Sequence, residues 1–275
     1  MRLGIFAKTF AGEDPLTVLT AARDAGFAAV QYNMACSGLP AMPDVLTQPQ
    51  AAAVAQASRA AGVAVAAVSG TYNMIHPDPA LRAKGLQRLE ILIQNAAAMG
   101  TGMVTLCTGT RDPNDQWAHH PDNQSPAAWR ELLAELAKAC AMAEAHSVRL
   151  GIEPEHANVI DTAPRARALI DTLQSPALMI VLDPANLFEI TPLAAQRDLL
   201  ARAVDLLADR ITMAHAKDRD PWGGFATAGQ GVVDFPHFLR CLKAAGFHGD
   251  LVTHGLTASE APGVAQFLRQ TLAAL

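Results

Sequence analysis

The chain reads as an α/β protein and predicts a (β/α)₈ barrel, a closed cylinder of eight parallel strands ringed by helices, because three observations coincide. Short β-rich apolar runs recur eight times: LGIF to Phe6, AAVQYN to Asn33, VAVAAVS to Ser69, MVTLC to Cys107, RLGIE to Glu153, MIVLD to Asp183, ITMAH to His215 and DLVTH to His254. Between them lie stretches of helical period, as in Leu81, Leu86, Leu89, Ile93, Ala96 and Met99, whose spacing keeps one apolar face toward a sheet. Successive run ends lie 27 to 46 residues apart, from Phe6–Asn33 at the short extreme to Cys107–Glu153 at the long one. That is the length of one strand, one helix and two loops, so the strands are parallel with helical crossovers, and eight units suggest closure.

The elements follow in order. Helices are expected near 15–25, 48–61, 79–99, 125–146, 162–174, 191–208, 234–245 and 259–273. Asp78 before Pro79, Ser125 before Pro126 and Thr191 before Pro192 each offer a side-chain oxygen at the N-cap and a proline at the first turn. Gly26, Gly62, Gly100 and Gly246 stand where a left-handed residue ends a helix. An open doubly wound sheet is the rival, but it usually carries a glycine-rich phosphate turn after its first strand, and FAKTFAGED offers only Gly12. The longest irregular stretch, TGTRDPNDQWAHHPDNQSP, reads as a loop on the mouth of the barrel. Barrels of this kind routinely reach roughly 250 residues as one domain, so residues 1–275 are expected to form a single TIM-barrel domain.

Composition narrows the function. The sequence is 51% hydrophobic and 17% charged, which fits a globular enzyme and excludes a disordered chain. Net charge is −5, with no run of Lys or Arg to neutralise a row of phosphates, so nucleic acid is excluded as a partner. The opening MRLGIFAKTF has too few apolar residues for a secretory leader or a membrane span. Cys36, Cys107, Cys140 and Cys241 are far apart and form no C-x-x-C pair, so neither a zinc knuckle nor a disulfide framework is indicated. A cytoplasmic location, with no membrane partner, is the expectation.

In a (β/α)₈ barrel the functional groups sit at the carboxyl ends of the strands, where the following loops rise. The last four runs end in Glu153, Asp183, His215 and His254, so four potential ligands converge on one end of the cylinder. Each alone is explained by a polar strand end meeting water or capping a helix. Four in succession, on strands otherwise almost wholly apolar, point to a metal site. Two carboxylates and two imidazoles suit Mn, Co, Zn, Fe or Mg better than Ca²⁺, which prefers an all-oxygen shell.

Six stretches carry a resemblance: SGTYNMIHPD (69–78), GIEPEH (151–156), VLDPANL (181–187), HAKD (215–218), GQGVVDF (229–235) and GFHGDLV (246–252). In order and spacing the chain resembles the sugar phosphate isomerase/epimerase superfamily, the xylose isomerase-like TIM barrels. The resemblance implies that Glu153, Asp183 and His215 bind a divalent ion and that His76 and Lys217 face the substrate. It implies chemistry by proton movement beside a carbonyl. Two positions depart from the pattern. Ketose epimerases of that superfamily carry a second glutamate at the end of the eighth strand, where this chain has His254; and Asn186 stands where many relatives carry a histidine that holds substrate hydroxyls.

An ion chelated by adjacent oxygens of a hydroxycarbonyl compound lowers the pKa of the α-proton and stabilises the enediolate. Glu153 is the favoured base, with Glu155 and His254 as alternatives, and Lys217 is placed to donate to the developing oxyanion. Substrate contacts are expected from His76, Glu155, Asn186 and Arg111, the last being, with Lys8, one of the few other well-placed cations. His156, Asn33 and Tyr72 lie near strand ends, where a cap or rim role is as good a reading, and Trp117, His119 and His120 belong to the long loop. HGLTASEAPG has no basic residue, so a phosphorylated substrate is not favoured. The expected function is a divalent-metal-dependent isomerase or epimerase acting on a small carbohydrate-like substrate, with homo-oligomers allowed. A metal-dependent lyase or dehydratase of a keto-polyol and a non-catalytic sugar-binding barrel are the alternatives.

Overall fold

The computed structural model describes residues 1–275. Eight parallel strands close a barrel: β1 Arg2–Phe6, β2 Ala29–Tyr32, β3 Ala64–Ser69, β4 Met103–Leu106, β5 Arg149–Ile152, β6 Leu178–Leu182, β7 Ile211–Ala216 and β8 Asp250–Thr253. Neighbours in sequence are neighbours in space, and β1 pairs with β8 to complete the ring. That seam carries a two-pronged ion pair, Arg2 Nε to Asp250 Oδ1 at 2.6 Å and Nη2 to Oδ2 at 2.9 Å. Strands buried on both faces must be apolar throughout, which is why the eight runs stood out as continuous rather than alternating.

The helices are α1 Pro15–Asp24, α2 Gln48–Ala61, α3 Pro79–Asn95, α4 Pro126–Ala145, α5 Ala163–Leu173, α6 Leu193–Leu207, α7 Phe235–Ala244 and α8 Ala261–Ala273. Asp78 accepts from Ala80 N at 2.8 Å and Ser125 from Ala128 N at 3.1 Å, so both expected caps form. Two departures from the expected boundaries have a visible local cause. Pro192 is itself the extended residue before α6, so the helix starts at Leu193 and Thr191 caps nothing. Helix α3 ends at Asn95, not 99: the Asn95 side chain donates to Ile91 O, and Ala96 N bonds Ile93 O three residues back, which tightens and stops the helix. A two-residue ribbon, Asp218–Arg219 against Phe225–Ala226, was not foreseen. Its turn is held by Asp220 Oδ1, which accepts from the amides of Trp222 (2.8 Å) and Gly224 (2.9 Å).

All four cysteines are free, and Cys36, Cys107 and Cys140 are buried as small apolar side chains. No helix is long and apolar enough to cross a membrane. The main core lies between strands and helices, while Ala67, Met103, Val181, Met213 and Val252 form a second, smaller cluster. Period-2 alternation puts Val181 on the face of Asp183 and Met213 on that of His215, so this cluster fills the barrel beneath those groups. Gly151, two residues before Glu153, leaves it room: a Cβ there would stand 2.3 Å from Met103 Cε and 2.8 Å from Val181 Cγ2.

Gly151→Ala therefore sets a gain of about 0.4–1 kcal/mol from a stiffer unfolded chain against an overpacking cost of about 1–3 kcal/mol. The stiff, β-branched Val181 makes the cost win, and the urea midpoint is expected to fall; a midpoint that rises would show that the floor has slack.

Candidate metal centre

Glu153, Asp183 and His254 each follow directly on the last residue of β5, β6 and β8, and His215 is the last residue but one of β7. The barrel's tilt brings one ligand atom from each to within 4.8 Å of all the others. Glu153 Oε1 lies 3.1 Å from His215 Nδ1, and Asp183 Oδ2 lies 3.1 Å from His254 Nε2 and 3.9 Å from His215 Nδ1. The expected convergence of the four groups is therefore what the fold produces. A mixed set of two carboxylates and two imidazoles at this spacing suits Zn²⁺ or a transition-series ion.

Asp183 is wholly buried. Burial alone would push its pKa up, but Lys217 Nζ at 3.4 Å, His254 and His215 together hold the carboxyl well below its ordinary value. Its other oxygen, Oδ1, accepts from Ala185 N at 2.9 Å in the short 3-10 turn Pro184–Asn186. Proline at the first position of that turn leaves this amide as the one to be capped.

His215 is oriented from behind by a residue that sequence reasoning missed. Gln31 in β2 donates from Nε2 to Ser69 Oγ and Thr105 Oγ1, both at 3.0 Å, and its Oε1 faces His215 Nε2 at 3.0 Å. With its amide hydrogens on the two hydroxyls, Gln31 presents its carbonyl oxygen to Nε2–H of His215, which turns Nδ1 toward the cluster. The available signal was a lone glutamine inside the buried run AVQY, with Ser69 and Thr105 on the two following strands. His254 is held by Asp183 on one side and by the Phe6 ring stacked at 4.4 Å and 14° on the other. Burial lowers its pKa against the pull of Asp183, favouring the neutral imidazole that can bind a cation.

Lys217 is 6% exposed; its Nζ donates to Asn186 Oδ1 at 2.7 Å and sits 3.8 Å from the Phe225 ring centre. Asn186 in turn donates to Glu153 Oε1 at 2.8 Å, so one buried amide couples the ammonium to the carboxylate. For Glu153, burial works to raise the pKa, but His215 and Lys217 hold it lowered. Glu155 moves the other way: burial, reinforced by Glu153 and Asp183 against Lys217 and Arg219, pushes it up to about 7. Glu153, Glu155, Lys217 and His254, with Lys8 and Asn33, line a bowl of about 510 Å³ at the mouth of the barrel. Trp117 of the long loop lines it too.

Three expected substrate residues do not line the bowl, and one of them is Asn186, fully buried between Lys217 and Glu153. His76 does not line the bowl: its Nε2 pairs with Pro113 O at 3.1 Å and its Nδ1 accepts from Asp78 N at 2.9 Å. Arg111 does not reach it either. Its guanidinium bonds both carboxylate oxygens of Glu131 in α4, at 3.0 and 2.7 Å, and Arg82 pairs with the same carboxylate. Asn73 exchanges hydrogen bonds with the backbone of Thr110, so the loops after β3 and β4 are sewn to each other and these polar groups are consumed in the seam. Tyr72 points its hydroxyl at buried Glu135, 3.0 Å away. Asn33 and His120 cap 3-10 turns, accepting from Ala35 N and Asp122 N.

Glu131 has its pKa lowered chiefly by the hydrogen bond from Arg111. A depressed carboxyl adds stability that is present above its unfolded pKa of about 4.3 and is lost as pH falls through the lower folded value. For a pair this exposed, Glu131→Gln is expected to cost up to about 1 kcal/mol near neutral pH. Paired urea titrations at neutral and strongly acid pH check this: the deficit should vanish in acid, and a deficit that persists there would separate the seam from charge.

No curated protein matches the sequence. The fold is shared with 3-keto-D-glucoside 4-epimerase from E. coli (19% identity over 100% of this chain and 98% of that one, TM-score 0.73). It is shared equally with an L-ribulose 3-epimerase (19%, 99% and 93%, TM-score 0.75) and with D-allulose 3-epimerase from Methylomonas sp. (17%, 98% and 98%, TM-score 0.74). At such identities the likeness is one of fold. The family model for the xylose isomerase-like TIM barrel matches residues 19–269, nearly the whole chain, and the protein belongs to that family.

Proposed function

We propose that the protein, acting as a single domain, is a divalent-metal-dependent isomerase or epimerase of a small sugar or other hydroxycarbonyl compound. The observation that carries this reading is the meeting of Glu153, Asp183, His215 and His254 within 4.8 Å, in a bowl that also holds Lys217 and Glu155. The epimerase names of its fold relatives support it without deciding the substrate.

The four groups would hold Mn, Co, Zn or Fe, and a bound ion supplies Lewis acidity that acidifies a proton beside the carbonyl. Glu153, whose Oε2 makes no hydrogen bond within the protein, is the base that takes this proton. Lys217, anchored by Asn186, offers its ammonium to the negative charge that develops on the substrate oxygen. Glu155, its carboxyl pushed up to about 7 chiefly by burial, holds a proton more readily than an ordinary carboxylate and returns one to the substrate. Two carboxyls of one bowl whose surroundings drive their pKa values apart make a natural base and acid. Glu155 thus supplies the second carboxyl that His254 does not. His254 itself, locked between Asp183 and Phe6, serves as a ligand and not as a proton carrier.

One observation favours a second reading. A single base and a single acid also suffice for β-elimination of water, and the eighth strand brings no second carboxylate. A keto-polyol dehydratase would show an enone absorbance on turnover, which an epimerase would not.

Incubation with ketoses in D₂O and Mn²⁺ is expected to wash deuterium into the carbon beside the carbonyl; a broad panel without exchange contradicts proton transfer. Asp183→Ala is expected to abolish stoichiometric Mn²⁺ in elemental analysis. Gln31→Leu, which removes the partner of His215 Nε2, should weaken Mn²⁺ binding by about 10–100-fold in calorimetry, whereas Gln31→Glu, still an acceptor, should retain most of it. Equal affinity in wild type and Gln31→Leu would refute the orienting role.

A further inference from the structure

The bowl does not end at its rim. Trp117, Glu155 and Phe225 form a shared wall between it and an outer chamber of about 870 Å³, built from the loops after β4, β5, β6 and β7. Each space falls in or near the range of roughly 300–1,000 Å³ typical of small-molecule sites. The outer chamber carries three of the chain's most exposed large apolar side chains, Trp117 at 52%, Phe225 at 52% and Ile190 at 72%. It also has unspent polarity. The buried side-chain atoms without a hydrogen-bond partner are His156 Nε2, Asn158 Nδ2 and Asp161 Oδ1, all within one six-residue segment, and His156 and Asp161 line this chamber. Buried polar atoms in native proteins are almost always paired, so their concentration here marks a place where hydrogen-bonding groups from outside the chain belong.

We infer that the outer chamber is a subsite for a second ring, so that the substrate class is a glycoside or disaccharide whose reacting hydroxycarbonyl unit enters the bowl while its linked ring stays outside. An exposed aromatic face such as that of Trp117, beside an unpaired polar atom, is what a sugar ring requires, since it shows C–H groups on its faces and hydroxyls around its edge; the Phe225 ring already carries Lys217 Nζ at 3.8 Å and Arg219 at 4.4 Å. A wholly apolar occupant would leave His156 Nε2 unpaired, whereas Asp161 already accepts from Gln124 through Oδ2 and has Arg165 Nε 3.8 Å from Oδ1. A phosphate is disfavoured, because Glu155, Asp161 and Glu189 line the same space and its one arginine, Arg219, is committed to Ala185 O and Gly223 O. The inference rests on the reading of the bowl as a sugar site and extends it outward.

The test compares D-fructose with isomaltulose, which is fructose carrying a glucosyl unit, by calorimetry on the Mn²⁺-loaded protein. Isomaltulose is expected to bind at least about ten-fold more tightly. Ile190→Asp, a change at an exposed residue that lines only the outer chamber, should erase that advantage and leave fructose unchanged; Trp117→Ala, at the wall the two spaces share, should weaken isomaltulose more than fructose, and Trp117→Phe should spare both. Equal affinities for the two sugars, equal losses for both in Ile190→Asp, or no binding of isomaltulose at all would each overturn the subsite. So would a fall in oligomeric state in Ile190→Asp with sugar binding intact, which would make the rim a self-association surface. If isomaltulose binds through Ile190 while no ketose exchanges deuterium, the subsite stands and proton transfer in the bowl is what fails.

Discussion

The carboxylate of Asp183 is the charge around which the mouth of the barrel is organised. It has no access to water, and an isolated anion in such a place would take a proton instead. It stays ionised because Lys217, His254 and His215 reach it from the next two strands, and because a backbone amide caps its other oxygen. Each partner is then fixed by a further bond: Lys217 by Asn186, His254 by Phe6, His215 by Gln31. Satisfying one buried charge thus propagates outward until it fixes the position of most groups in the bowl.

The two halves of the barrel contribute differently. Strands β5 to β8 deliver the four candidate ligands, whereas β2, β3 and β4 deliver Gln31, Ser69 and Thr105, which stand outside that group. The first half thus works as a backing plate that sets how an imidazole from the second half is turned. Aligning a donor this way fixes the orientation of the ring before any cation arrives, which lowers the ordering cost of binding.

Much of this was legible in the sequence because the responsible physics is local. Strands buried on both faces must read as unbroken apolar runs, so a polar residue closing such a run is conspicuous, and Glu153, Asp183, His215 and His254 were found that way. His76 and Arg111 were misplaced because the groups that capture them are not local. Arg111 is claimed by Glu131 in the following helix and His76 by the carbonyl of Pro113, and no spacing rule anticipates either. Gln31 was visible in principle as the odd residue of AVQY, but its meaning depends on Ser69, Thr105 and His215, which only closure of the ring brings together. The end of α3 and the idle Thr191 were lost for a smaller reason: single hydrogen bonds decide helix ends, and periodicity does not resolve them.

The seam between β1 and β8 has a consequence for how the ligand group is assembled. Arg2 meets Asp250 across 248 positions of chain, and Phe6 stacks on His254 across the same span. Pairings between neighbouring strands close far shorter loops, so this seam is the least local contact of the ring and carries the largest closure entropy. Glu153, Asp183 and His215 can be aligned by their own neighbours, whereas His254 takes its position only when that longest loop shuts.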